Sequence, residues 1–291
     1  MKATVGIIGV GMMGHGIARN VLKHGFALTA LEHPGNQPLT ELLAGGATTQ
    51  ASARAVAQAS DVLILCVTGS PEVEAVLTGD DGVLAGLRPG AIVVDCSTAI
   101  PTSSERMAAL VHERGGRFVD APMTRSVQHA HDGKLNLLVG GADADITEVL
   151  PVLQCFAENI VRTGGTGSGH RMKLLHNFVS LGSVALLAEA AACAQRGGIA
   201  MPVLVEVLAT GGGAGIALER LKPYLLNEDP SGLQFFMSNA LKDLGYYVNM
   251  ATDASAQHAI ADAVAGTYDH AVQQGGPRKL VPELVGLLAQ G

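Results

Sequence analysis

The chain has 291 residues, long for one domain, and with 48% hydrophobic and only 15% charged residues it can fill two cores. A formal net charge of −7 without any block of Lys and Arg excludes the cationic surface that nucleic acid or an anionic membrane requires. Cys66, Cys96, Cys155 and Cys193 are too widely spaced for a disulfide frame or a zinc site, and read as small apolar residues in a reducing compartment.

The first element is an apolar strand, Val5, Ile7 and Ile8, running straight into Gly9-Val10-Gly11-Met12-Met13-Gly14. Gly9 allows a tight turn, Gly11 lets a pyrophosphate approach the backbone, and Gly14 lets the following helix pack against the sheet. The phosphates then meet free N–H groups at the positive end of a helix dipole. A helix from Met12 to His24 and a break at Gly25 lead to a second strand, Phe26 to Leu31, ending on Glu32. An acid about 20 residues beyond the glycines is placed to accept the ribose hydroxyls of a dinucleotide. The strand begins almost at the N-terminus, so no signal or transit peptide is expected and the protein is expected to be cytoplasmic.

Strand-like runs then alternate with helical ones: Val62 to Val67, Ala91 to Asp95, Arg117 to Val119, Leu135 to Val139 and Asn159 to Arg162. Such alternation predicts an α/β fold, a doubly wound parallel Rossmann sheet covered by helices on both faces. Ser70 to Leu77 and Pro101 to Glu113 open as helices with proline in the first turn, and Thr102 and Ser103 are available as caps. His129 and His131 lack metal-ligand spacing and read as an exposed loop pair, so no metal site is expected. Strand signals end at the glycine cluster Gly164, Gly165, Gly167 and Gly169, and the rest reads as helix. The expected division is a dinucleotide-binding domain over 1–163 and an all-helical substrate and dimerisation domain over 164–291. Met172 to Ala194 is apolar nearly all round, which requires burial either as the axis of the chain or between subunits. A homodimer or homotetramer is expected. The uncharged run Leu174 to Ala188 is too short to span a bilayer.

Ligands of an open α/β sheet lie beyond the carboxyl ends of its strands, which nominates Val67-Thr68-Gly69, Ser97-Thr98, Asp120 to Ser126 and the glycine cluster. Lys173 stands just past that cluster, with Asn177 one turn later on the same helical face. A lysine amine in an apolar pocket beside an oxidised nicotinamide would have a lowered pKa and could take the proton from a hydroxyl as hydride leaves carbon. Asn177 has both a donor and an acceptor with which to hold that hydroxyl. Spacing alone leaves open a surface lysine followed by a cap.

The segment Gly9 to Gly25, with Ala18, Asn20, Leu22 and Lys23, resembles the opening signature of the β-hydroxyacid dehydrogenases, the family of 3-hydroxyisobutyrate dehydrogenase and tartronate semialdehyde reductase. Asp95 to Pro101 resembles its segment facing the nicotinamide, and Asp120-Ala121-Pro122 the start of its substrate-binding segment. Gly164 to Asn177 resembles the entry to its catalytic helix, and Lys242-Asp243-Leu244 its late signature. The resemblance implies an oxidoreductase acting on a small 3-hydroxy acid or its semialdehyde. Lys173 would be general acid/base, Asn177 and Thr98 would orient the reacting group, and Lys242 would approach the nicotinamide.

Where most relatives carry Ser-Gly-Gly, this chain has Thr124-Arg125-Ser126, similar to the Gly-Arg-Thr-Ser of the sulfolactaldehyde reductase branch. These three residues are expected to hold the anionic end of the substrate. Arg125 offers a planar fork for a carboxylate or sulfonate, or alternatively a salt bridge with a nearby acid. His176 replaces an asparagine frequent in relatives. Glu32 favours NAD over NADP because a carboxylate repels a 2′-phosphate, while His33 could tolerate one if protonated. The alternatives are a sulfolactaldehyde-type reductase and, from a different class, a non-catalytic dinucleotide-binding protein, which retention of Lys173 and Lys242 argues against.

Overall fold

The computed structural model describes residues 2–290. Nine strands form one sheet: β1 (Val5–Ile8), β2 (Leu28–Leu31), β3 (Thr48–Gln50), β4 (Val62–Leu65), β5 (Ile92–Asp95), β6 (Arg117–Asp120), β7 (Met123–Thr124), β8 (Leu135–Gly140) and β9 (Ala157–Gly164). Fourteen α-helices are described. They are α1 (Met12–Lys23), α2 (Thr40–Ala44), α3 (Ala53–Gln58), α4 (Ser70–Thr78), α5 (Val83–Gly86), α6 (Pro101–Glu113), α7 (Val127–His131), α8 (Asp143–Leu153), α9 (Ser168–Arg196), α10 (Met201–Thr210), α11 (Ile216–Asn227), α12 (Met237–Asp253), α13 (Ala259–Gly275) and α14 (Leu284–Gln290). Contacts divide the chain into two compact units, Met1–Lys173 and Leu174–Gly291, and the division falls inside α9.

In the first unit β1, β4 and β5 are buried along their whole length, as apolar runs in a sheet covered on both faces must be. The order is β3-β2-β1-β4-β5-β6-β8-β7, with β9 beside β8. Strands β1 to β6 are parallel, and the winding reverses between β1 and β4, which is where a doubly wound sheet opens its ligand crevice. The sheet is not parallel throughout: β8 runs antiparallel to both β6 and β7. Two apolar clusters cover its faces, one around Ile7, Ile17, Ile64 and Phe156, the other around Ile8, Leu65, Val93 and Phe118.

Two local expectations are corrected. Thr102 and Ser103 do not cap α6, whose N-cap is Ile100; the Ser103 hydroxyl donates instead to Glu74 Oε1 at 2.6 Å. His129 and His131 lie in the short helix α7 and are half-buried, with the His131 ring 5.6 Å from that of His15.

The second unit is helical around a core of Leu181, Val184, Leu221, Leu244 and Tyr268. The Tyr268 ring is wholly buried, and its hydroxyl donates to the Leu181 carbonyl at 3.2 Å. By length and composition α9 could cross a membrane, but half of its most apolar stretch is buried within the protein. Burial along α9 is incomplete, contrary to a purely axial role. Leu174, Leu181 and Val184 are buried, whereas Val179 is 65% and Leu186 71% exposed.

Candidate active site

The cofactor cradle is defined by what a side chain would strike. A Cβ at Gly14 would lie 2.0 Å from the Gly9 carbonyl oxygen, and one at Gly9 2.3 Å from that of Cys66. Gly9 also has φ +94°, a conformation open to glycine at little cost. Gly11 faces open space, so a ligand backbone can approach it. A dinucleotide fits these residues: the crevice lies where β1 and β4 diverge, and α1 begins at Met12, directing its free N–H groups there.

Beyond β2 a hollow of about 390 Å³ is lined by Glu32, His33, Pro34, Asn36, Gln37 and Leu39. Thr49 of β3 donates to Glu32 Oε1 at 2.6 Å and so orients the carboxylate. Asn36 fastens the loop to the glycine turn, accepting from Val10 N at 3.2 Å and donating to the Leu31 carbonyl at 2.8 Å. His33 Nδ1 accepts the Gly35 N–H at 3.0 Å, a bond that occupies the ring lone pair.

At the carboxyl ends of the strands two carboxylates stand side by side, Asp95 of β5 in register with Asp120 of β6. Both are wholly buried. Asp120 is satisfied by the N-terminus of α9, accepting from Gly167 N at 2.7 Å and His170 N at 2.9 Å. A negative charge there also complements the helix dipole. Asp95 accepts from Ser97 N at 2.9 Å on Oδ1, and among the described residues its Oδ2 has no hydrogen-bond partner. Burial pushes its carboxyl above the usual range, opposed by the neighbouring His170 imidazole. The Ser97 hydroxyl accepts from Val67 N at 3.0 Å, tying the end of β4 to the segment that holds Thr98. Lys173 stands half-buried one turn beyond His170 on α9.

Within the second unit, Asn177 of α9 is buried and donates to Asp243 Oδ2 at 2.6 Å. The other Asp243 oxygen pairs with Lys242 Nζ at 3.0 Å, and that ammonium sits 5.0 Å over the Tyr246 ring. The structure therefore brings Asn177 and Lys242 together through an aspartate. His176 Nδ1 lies 2.9 Å from Asn177 Oδ1 and helps fix the amide.

Arg125 lies beside the Lys134 carbonyl and Glu158. Its guanidinium donates to the Lys134 carbonyl at 2.6 Å and pairs with Glu158, which holds the Glu158 carboxyl below its usual range. The residue has φ +83°, a left-handed conformation uncommon outside glycine. The fork is thus engaged by the fold, as in the salt-bridge alternative. Nearby, the Ser126 hydroxyl lies 2.7 Å from His129 Nδ1, and Thr124 Oγ1 accepts from Asn136 at 3.3 Å.

Asp95, His170 and Asp243 carry the buried polar network, and sequence reasoning gave none of them a role. One signal was available: two apolar strands, Ile92–Asp95 and Arg117–Asp120, each end on an acid, and a buried acid requires a partner.

The chain is similar to known proteins along nearly all of its length. Residues 4–165 match the family described as the NAD binding domain of 6-phosphogluconate dehydrogenase. Residues 167–288 match the NAD-binding domain of NADP-dependent 3-hydroxyisobutyrate dehydrogenase. The chain is 30% identical to the NAD-dependent L-serine dehydrogenase of Pseudomonas aeruginosa over 93% of each chain. It is also 30% identical to the 3-sulfolactaldehyde reductase of Escherichia coli, over 95% of this chain and 93% of the reductase. A solved 3-hydroxyisobutyrate dehydrogenase from Salmonella typhimurium superimposes with a TM-score of 0.85 at 27% identity, covering 98% of this chain and all of that one.

Proposed function

The chain belongs to the β-hydroxyacid dehydrogenase family, and we propose that it oxidises a small 3-hydroxy acid, or reduces the matching semialdehyde, with NAD. One observation carries the reading. Lys173 stands on a helix whose first turn is bonded to Asp120 and to the Ser97 carbonyl, at the strand ends where a doubly wound sheet presents its ligand. When bound, the oxidised nicotinamide supplies the hydride acceptor. Lys173 takes the hydroxyl proton as the carbonyl forms and returns it in the reverse direction. Asn177, fixed by Asp243, orients the same oxygen. Thr98 faces the reacting group, and Thr124 and Ser126 supply hydroxyls for the carboxylate.

Glu32 supports NAD, because its carboxylate is oriented by Thr49 and repels a 2′-phosphate. Engagement of Arg125 with Glu158 weighs against a sulfonate as the preferred anionic group. The exposed apolar residues of α9 support assembly into a homo-oligomer.

The test is a panel of 3-hydroxyisobutyrate, L-serine, 2-(hydroxymethyl)glutarate and 2,3-dihydroxypropane-1-sulfonate, the alcohol that reduction of 3-sulfolactaldehyde forms, oxidised with NAD or NADP and followed by absorbance of the reduced cofactor. Turnover of a carboxylate substrate with a higher kcat/KM for NAD is expected. Preference for 2,3-dihydroxypropane-1-sulfonate or for NADP would overturn the corresponding part. Lys173→Ala should lower kcat about a thousandfold while cofactor still binds; undiminished turnover would refute the mechanism.

A further inference from the structure

His170 is wholly buried, an unusual place for an imidazole unless every polar atom has a partner. Its Nε2 lies 3.2 Å from the Ser97 carbonyl, which can only accept, so this nitrogen carries the hydrogen. Its Nδ1 lies 2.8 Å from the Ser104 hydroxyl of α6, which can donate to it. The ring thus spans from α9 to the end of β5 on one side and to α6 on the other, while its own backbone N–H binds Asp120. Asp95 and Asp120 flank it, each with a carboxylate oxygen 3.8 Å from a ring nitrogen. Ser97, which His170 grips by its carbonyl, precedes Thr98 and is tied through its hydroxyl to Val67. Lys173 follows His170 by three residues, so the two side chains leave the helix on neighbouring faces one turn apart.

We infer that His170 is a positioning residue for the hydride transfer, one that fixes the helix turn bearing Lys173 against the Ser97-Thr98 segment. The inference rests on the reading of Lys173 as the acid/base group. A bound substrate is held by other residues, so loss of the clamp displaces the amine relative to the reacting oxygen without weakening the complex. Small displacements of a catalytic group are costly because proton transfer requires hydrogen-bond reach. A side chain that merely filled space would be replaced by an apolar residue of similar size with no specific effect on kcat.

The test compares His170→Leu, His170→Gln and Ser104→Ala with the unaltered enzyme, using NAD and whichever of 3-hydroxyisobutyrate, L-serine or 2-(hydroxymethyl)glutarate turns over fastest. His170→Leu removes both ring nitrogens and is expected to lower kcat at least tenfold, with KM and the Kd for NADH each changed less than threefold. His170→Gln retains an N–H able to reach the Ser97 carbonyl and should recover kcat to within threefold of the unaltered enzyme. Ser104→Ala, which leaves the ring in place but removes one partner, should lower kcat about threefold and serves as the decisive variant if His170→Leu does not fold. A folded His170→Leu enzyme with kcat within twofold of normal would overturn the inference, as would a Gln variant no better than Leu, or an unchanged kcat in a folded Ser104→Ala enzyme. Lys173→Ala measured alongside separates the two readings. If that variant is inactive while His170→Leu is normal, positioning alone fails; if it remains active, the acid/base assignment fails.

Discussion

At Asp95 burial acts on a carboxyl group whose second oxygen has no hydrogen-bond donor among the described residues. The folded state therefore favours the protonated form, and the folded pKa lies above the unfolded one. A group raised in this way contributes stability below its unfolded pKa and loses it as pH rises through the folded value. Asp95→Asn, neutral at all pH, should thus gain on the unaltered protein between pH 3, below the ordinary carboxylate range, and pH 8. Urea midpoints at the two pH values check this; a difference that shrinks with pH contradicts it. Arg125 poses a different problem, because its left-handed backbone conformation costs about 1 kcal/mol in a residue with a Cβ. Arg125→Gly and Arg125→Ala both lose the Glu158 pair, but only glycine relieves the backbone. The glycine variant should be the more stable of the two by about 1 kcal/mol in thermal or urea unfolding. The sequence offers Arg125 two kinds of partner, a substrate anion or a nearby acid, and the pair with Glu158 involves a residue 33 positions away that local spacing does not contain.

Among the elements, the entry to α9 is tightly specified. A Cβ at Gly169 would lie 2.3 Å from the Leu138 carbonyl oxygen and 2.7 Å from Asp120 Oδ2, so the helix can reach that carboxylate only with glycine there. Gly169→Ala should cost about 2–3 kcal/mol through forced displacement. It should also lower kcat, because the turn bearing Lys173 moves; a stability loss below 0.5 kcal/mol would show that the entry is looser than described. The long elements were legible because burial imposes period: four-residue apolar runs gave β1, β4 and β5, and proline opened α4 and α6. Thr48–Gln50, Met123–Thr124 and the helices of four to six residues are too short to show a period, and no sequence signal marked them. The Gly164 to Asn177 entry was recognisable as a motif, but the partner of its free N–H groups was not. Asp120 lies 47 residues before the Gly167 it binds, a relation that only the sheet creates.

For the whole molecule, we propose that exposed apolar residues on α9 and α10 drive self-association. Met172, Leu175, Val179 and Leu186 recur at helical spacing along α9 with 39% to 71% of their surface exposed, and Val203 and Val207 lie one turn apart on α10. Sedimentation velocity should show a species of at least twice the 29.8 kDa chain mass, and Val179→Asp with Leu186→Asp should shift it toward monomer. A monomer at micromolar concentration in the unaltered protein would refute the assembly. The position of the division inside α9 also bears on how the protein can be taken apart. A fragment ending at Gly164 would contain every strand but would strip Asp120 of both N–H donors and leave Ser97 and Ser104 without His170. The cofactor-binding unit is therefore not a detachable module that ends with its sheet: its last structural piece is the first turns of a helix whose remainder belongs to the other unit, and grafting or truncation must carry the chain through Lys173.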